Sequence, residues 1–507
     1  MVKKYLRILS NTELTKYVNN FSSGIDAKTG ELLLDSSTAR MVLGFDFKSG
    51  TLKKSCGLST INILDYATNA SDTLATEFAT IGEILKSFIF NKYNDNGNLT
   101  TYLILINNSF TVYALNLNDA SSGFVQLALN FTSLPKFVEY NLNGEDVIIF
   151  CSPTDSMQVW DGENLPYTVA DAPNFIDMCM HGERLFALTG DTRTLWFSDD
   201  LDPTNWNVSL EDAGFIQMID QRGALRKIIS WNGYIYIFRD FGISRLSANG
   251  SQETFSLTHL FTSSGRIYCD TVCECGDRIL FLSTDGLYVF DGASTTQILL
   301  KVAPLFYKQL NSEACFFDGK YIFSFKIDLS KYGLVSLFPN MSENYVNNAI
   351  FIMDVTDLSY QIVFGAEVKN FCVANFTSDE VLMCMSKDLL NASNNTTVLA
   401  KFDQSGKILN SPQTRIWAST FDNFNRPNKT KILKSVYITS SCNCILHLYS
   451  DKESCDISVM ANASPKEYKV MLKGNMFKYI IECNSYSNFE IGQIVFKYYL
   501  ANICGDR

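Results

Sequence analysis

RKIISWNGYIYIFRDFGISRLS, residues 226–247, reads as three short strands joined by two tight turns. Asn232-Gly233 turns the first strand into the second, and Asp240-Phe241-Gly242 turns the second into the third. Asn-Gly is the dipeptide that a two-residue hairpin asks for, because both central residues take positive φ. The apolar residues between the turns come in runs of five to eight, too short for helices and rich in Ile, Tyr and Phe.

The same unit recurs on both sides. DTVCECGDRILFLSTDGLYVFDG (270–292) turns at Cys275-Gly276-Asp277 and at Thr284-Asp285-Gly286. CMHGERLFALTGDTRTLWFSD (179–199) turns at His181-Gly182-Glu183 and again at Gly190–Arg193. Equivalent turns lie roughly 45–50 residues apart, the length of one propeller blade. Further strand pairs continue the texture, from TYLILI (101–106) to EVLMCM (380–385). A large sandwich also has short strands, but the repeated triplets favour a radial array, which closes on itself and leaves few exposed edges. The expected fold is all-β: a β-propeller of six to seven blades followed by a small antiparallel β-sandwich.

Three segments are expected: a polar N-terminal stretch (1–38), the propeller (39–405) and the sandwich (412–503). The boundary rests on the Asn-rich run Asn391–Thr397 and the restart at Ser411-Pro412. Around Asp46 the pattern predicts a short hairpin turning at Ser49-Gly50. Within 72–90, Leu74, Phe78, Ile81, Leu85 and Phe88 fit a helix, while Gly82 and the aromatic end leave a strand open.

Composition bounds the partners. A chain of 507 residues with 46% hydrophobic and 19% charged types has material for real cores. Lys+Arg number 42 against 53 Asp+Glu, a net −11, which argues against a broad positive face for nucleic acid. The start has no signal-peptide pattern, and no apolar run is long enough to span a bilayer. The 14 cysteines are therefore expected reduced and mostly buried.

No chemistry-bearing motif stands out. Cys269, Cys273 and Cys275, and the pair Cys442 and Cys444, resemble metal-ligand spacing. In a strand, however, Cys273 and Cys275 share one face and read as core. His181, His259 and His447 have no motif neighbours, and no G-x-S-x-G elbow, H-E-x-x-H or phosphate-binding loop occurs. We expect no cofactor, no metal and no catalytic residue. The richest segment is SDDLDPTNW (198–206), where Asp199, Asp200 and Asp202 precede Trp206. It is expected to brace its own loop or an interface, with calcium binding and glycoside hydrolysis as alternatives. Arg239 and Arg245 flank one turn, where local ion pairing that braces the loop or a solvated edge is the usual reading and an interface role the alternative. The remaining basic residues singled out, Lys53, Lys54, Arg222, Arg226 and Lys227, are scattered.

Several phrases resemble the β-propeller tail and DNA-stabilisation (head–tail connector) proteins of tailed bacteriophages. In DFKSGTLKKSCGLST the matching positions are Asp46, Gly50, Leu52, Lys53, Lys54 and Gly57. In LWFSDDLDPTNW they are Trp196, Ser198, Asp199, Asp202, Pro203 and Trp206. NKTKILKSVYI (428–438) and LHLYSDKES (446–454) resemble the small β-domain that closes such chains. The resemblance covers about residues 20–503, and the high Cys and Asn content departs from it. It implies a structural virion component made in the host cytoplasm and placed in the tail or near the portal. There it would form a homo-oligomeric ring, of hexamer type. Its neighbours would be other phage tail, adaptor or portal proteins, with DNA passing but not specifically bound and no membrane involved. The alternatives are a carbohydrate- or protein-binding propeller, for which exposed Trp160 or Trp206 would be diagnostic, and a propeller glycosidase.

Overall fold

The structure, a computed structural model, describes residues 6–8, 13–93, 97–209, 212–309, 311–376, 379–391, 393 and 396–503. It is an all-β, multi-sheet architecture of the β-propeller type. Six consecutive antiparallel sheets are each built from four strands in chain order. Their first strands are Ile84–Tyr93, Lys136–Leu142, Phe175–His181, Leu225–Trp231, Ile267–Glu274 and Ala314–Phe317. A seventh sheet begins with Ala366–Phe376, Asp379–Asp388 and Thr397–Asp403, then takes Gly57–Thr60 from the other end of the chain as its fourth strand.

From the second sheet to the seventh, the first strands lie side by side in chain order, and that of the seventh returns to that of the first. Phe88 stacked on Phe137, with centroids 3.5 Å apart, makes the junction between the first and second sheets. Apolar clusters fill the gaps between neighbours. Ile149 and Val159 of the second sheet pack with Phe175 and Leu185 of the third. Phe186 and Leu195 pack with Ile228 and Ile237 of the fourth. Each sheet therefore buries both faces, which is why its strands read as nearly unbroken apolar runs.

The other two sheets combine both ends of the chain. In one, Phe45–Asp46 and Leu52–Lys54 join Glu490–Ile503, Thr430–Ser440 and Lys466–Gly474, while Leu6–Ile8 and Leu14–Val18 also pair with Glu490–Ile503. In the other, Ala39–Leu43 pairs with Arg415–Ser419, followed by Phe477–Cys483, Cys444–Ser450 and Ser454–Val459. These sheets share one core with the fifth and sixth sheets of the array, where Phe306, Phe323 and Phe351 meet the cluster containing Trp417 and Ile481.

This corrects the expected segments. The blade-like sheets begin at Gly57 rather than 39, since Ala39–Leu43 and the Asp46 hairpin belong to the terminal sheets. Nor is 1–38 simply a polar lead-in: Leu14–Val18 is a strand, and Phe21 and Ile25 are 1% exposed. The physical reason is range. A strand's own pattern says which face is buried but not which partner, hundreds of residues away, completes the sheet. The stretch 72–90 splits as its ambiguity suggested, with helix Leu74–Thr80 ending before Gly82 (φ +94°) and a strand starting at Ile84.

Candidate functional site

In the acidic loop two carboxylates are turned onto the loop itself and the third faces an arginine of a neighbouring strand. Asp199 accepts the Asp200 N–H at 2.8 Å and the Asn205 side-chain amide at 2.8 Å. Asp202 accepts the N–H and hydroxyl of Thr204 at 2.9 and 2.6 Å. Asp200 lies 3.7 Å from Arg184, which also donates to the carbonyls of Ser198 and Asp212. These are the Asx contacts that hold a tight turn, here one with Leu201 at φ 59°. Trp206 is buried and lies 4.6 Å from Phe175, between the second and third sheets. Trp160 is buried as well, so neither tryptophan offers the exposed platform that a glycan-binding face would use.

Arg239 and Arg245 have different surroundings. Arg239 is 1% exposed; it donates twice to the Gly223 carbonyl (3.1 and 2.8 Å) and pairs with Asp220 at 2.8 Å. Burial works to raise Asp220, but the Arg222 N–H and the Arg239 guanidinium outweigh it and hold its carboxyl at about 2. Arg239 is therefore a loop brace with no reach to a partner. Arg245 is half-buried, its guanidinium 4.6 Å from the centre of the Tyr234 ring.

His259 adds a constellation invisible in the sequence. Its Nδ1 is 2.9 Å from Ser244 Oγ and its Nε2 is 3.6 Å from Asp220. The three residue types are those of a serine hydrolase, yet Ser244 is 0% exposed and Asp220 is committed to Arg239. A nucleophile that no substrate carbonyl can reach does no acyl transfer. Among the described residues no group of three or more His, Cys, Asp or Glu is placed to hold a metal ion.

The first strands of the sheets line an axial cavity of about 360 Å³, bounded by Lys86, Lys136, Asp177, Lys227 and Glu274 among others. Polar contacts knit its wall together. Lys136 of the second sheet reaches Asp270 of the fifth at 3.0 Å, and Lys86 of the first reaches Glu313 of the sixth at 3.5 Å. Asp177 accepts the Ile228 N–H at 2.8 Å. Burial works to lower Lys136, but Asp270, Asp177 and Glu313 together raise it, so the ammonium stays charged. An ion pair thus spans from the second sheet to the fifth across this cavity.

The outer edges divide into two arcs. The last strand of the sixth sheet, Tyr360–Phe364, lies under Ala39–Leu43 and Phe45–Asp46, and the Gly44 N–H donates to the Ile362 carbonyl at 2.7 Å. In the seventh sheet, Lys407–Ile408 covers Gly57–Thr60. The last strands of the first two sheets are exposed, and those of the third, fourth and fifth are exposed in part. Large apolar side chains stand out on or next to the first three of them: Val125, Tyr167 and Phe215 on the strands, with Leu165 (82% exposed) and Ile219 (73%) two residues outside. Leu201 (63%) is exposed elsewhere, in the acidic loop beside the Glu183 turn. A scattered surface leucine is ordinary, but five such residues on the outer edges of three neighbouring sheets make a candidate interaction surface. Sequence reasoning missed it, because a blade's outer strand looks the same whether or not something covers it.

No protein-family model matches the chain. No curated protein matches it either. Three solved structures are similar at low scores. YCF48 from Cyanidioschyzon merolae matches with 10% identity over 44% of this chain and 73% of that one, TM-score 0.30. YCF48 bound to D1 peptide matches with 12% identity over 63% and 93%, TM-score 0.39. The N-terminal domain of Nup159 matches with 10% identity over 69% and 95%, TM-score 0.37.

Proposed function

We propose that this chain is a non-catalytic, protein-binding scaffold. In this reading the seven sheets are the blades of a closed propeller, sealed where Gly57–Thr60 completes the last blade, and the two terminal sheets form a sandwich seated on one side. The observation that carries it is the division of the rim: one arc is occupied by the chain's own ends, while the other presents Val125, Leu165, Tyr167, Phe215 and Ile219 to solvent. Exposed apolar side chains on a rigid β-frame gain most by being covered by another protein. The buried Ser244, the self-bracing Asp199 and Asp202, and Asp200 facing Arg184 support the non-catalytic part.

A more specific form of this reading follows the phage-like phrases. As a tail or head–tail connector component, the chain would use the open arc between copies in a ring and against neighbouring tail, adaptor or portal proteins. Passing DNA would then run through the lumen of the ring, since the Lys136–Asp270 pair spans the axial cavity. The net charge of −11 suits a lumen that must not hold DNA. The test is the double substitution Leu165→Asp and Ile219→Asp, followed by sedimentation and negative-stain microscopy. Rings or larger assemblies in the wild type that revert to monomers in an equally stable variant support the reading. Assemblies indifferent to both changes overturn the assignment of the open arc.

A further inference from the structure

In the terminal sheets, Cys442 Sγ and Cys483 Sγ lie 3.5 Å apart. Cys442 sits in the connection from Thr430–Ser440 of one sheet to Cys444–Ser450 of the other. Cys483 ends Phe477–Cys483, just before the chain crosses back to Glu490–Ile503. The two sulfurs thus meet where two separate crossings between the sheets converge. Ser440 Oγ is 3.7 Å from Cys442 Sγ, and Arg415 is Cys483's partner in the strand register.

Arg415 is the unusual neighbour. It is 0% exposed, and its guanidinium donates to the carbonyls of Gln413 (3.3 Å), Ser485 (2.5 Å) and Gly406 (2.9 Å) while Nε has no partner. A buried cation held by neutral carbonyls, with the Phe489 ring 5.6 Å from its guanidinium carbon, has no carboxylate partner among the described residues. The Cys442 thiolate can supply the anion. Donation from the Cys483 S–H pulls Cys442 down against its burial, with Ser440 and the Arg415 charge, which both sulfurs feel, assisting. Other thiols go the opposite way: burial pushes Cys56, Cys372, Cys384 and Cys444 up to about 12.

We propose that Cys442 and Cys483 are an oxidative modification site, a thiol pair that a peroxide converts to a disulfide locking the two sheet crossings together. The Cys442 thiolate attacks a peroxide oxygen; the O–O bond breaks, and hydroxide leaves to be protonated to water. Cys483 sulfur then attacks the sulfur of the resulting sulfenic acid, and hydroxide leaves with the Cys483 proton as a second water. The balance is two thiols and one hydrogen peroxide to one disulfide and two waters. Both sulfurs are buried, Cys442 6% and Cys483 0% exposed, so the oxidant must be close to water in size, unlike the acyl substrate that Ser244 would need. Geometry selects this pair because the resolving sulfur already touches the attacked one. The cross-link closes a long loop and stiffens the side of the molecule that holds both chain ends.

The full chain, reduced and freed of reductant, is treated with graded hydrogen peroxide, alkylated, digested and analysed by mass spectrometry. The expected result is that two of the 14 thiols disappear first, joined in one cross-linked peptide containing residues 442 and 483, with a melting temperature several degrees higher. Cys483→Ser is expected to leave Cys442 as a sulfenic acid that dimedone captures. Cys442→Ser is expected to slow thiol loss at 483 at least tenfold. The proposal is overturned if Cys269, Cys273 or Cys275 reacts first. It is equally overturned if Cys442 pairs with Cys444, or if the wild-type pair reacts no faster than the same thiols in urea. The wild-type measurement decides the matter even if a variant fails to fold.

Discussion

Asn232 and Gly233 take φ 49° and 76°, the left-handed pair that a two-residue hairpin turn requires. A Cβ on Gly233 would meet nothing within 4 Å, so a substitution there is opposed by backbone conformation alone. Gly233→Val is expected to lower stability by about 1–3 kcal/mol, and Asn232→Asp by much less. Thermal melts of the two variants check this; equal melting temperatures would reject the turn. His447 is a second isolated case, bridging Asp456 (2.8 Å) and Glu482 (3.1 Å). The Glu482 hydrogen bond, followed by Asp456, raises the imidazole above its ordinary 6.5 despite burial. A raised cationic group stabilises fully below 6.5, and the contribution is lost as pH rises through the folded value. His447 likewise lowers Glu482 below its ordinary 4.5, and that contribution is lost as pH falls through the folded value. His447→Gln is therefore expected to cost most between about pH 4.5 and 6.5 and markedly less at pH 9, read from urea unfolding across pH.

Among elements, the strand Gly57–Thr60 has the greatest leverage for its size. It pairs antiparallel with Thr397–Asp403 and, through Leu58, parallel with Ile408. Leu58 is 0% exposed, and a Cβ on Gly57 would come within 2.4 Å of the Lys407 carbonyl oxygen, so two backbones pass here at the limit of contact. Leu58→Ala is expected to cost about 2–5 kcal/mol, the range for a buried leucine that leaves a cavity. It should also speed hydrogen exchange in Thr397–Asp403 before other sheets. Val125→Ala, on the open last strand of the first sheet, is expected to change stability by about 0.5 kcal/mol or less. Comparable losses at 58 and 125 would show that the seam is not what holds the array shut.

On the scale of the whole molecule, the two chain ends share sheets, which changes what a cut does. A protease opening the chain between Leu389 and Thr396 separates the strands before it from Thr397–Asp403, but both pieces stay tied. Ala39–Leu43 remains paired with Arg415–Ser419, and Leu14–Val18 and Leu52–Lys54 remain on Glu490–Ile503. The expected outcome is two bands on a denaturing gel and a single species on gel filtration. Release of a free C-terminal fragment would show that the terminal sheets hold together without their N-terminal strands.

The sequence by itself determined the repeating unit. Asn232-Gly233, Thr284-Asp285-Gly286 and His181-Gly182-Glu183 are local signals, since a two-residue turn is dictated by the φ its own residues tolerate. The strands of 225–247 and 279–290 follow from apolar runs of fixed length. The turn bonds inside 198–206 were within reach for the same reason, as Asp and Thr side chains bond to backbone two or three residues away. Tertiary structure decided everything that depends on distant partners. It put Ala39–Leu43 beside Arg415–Ser419, and it buried Arg239 on Asp220 where the sequence left both local pairing and an interface open. It also brought Cys442 to Cys483 and left Leu201 and Ile219 in water. None of these can be read locally, because a strand's pattern specifies that a face is buried and an edge paired, while the identity of what covers it is fixed only when the sheets have closed on one another.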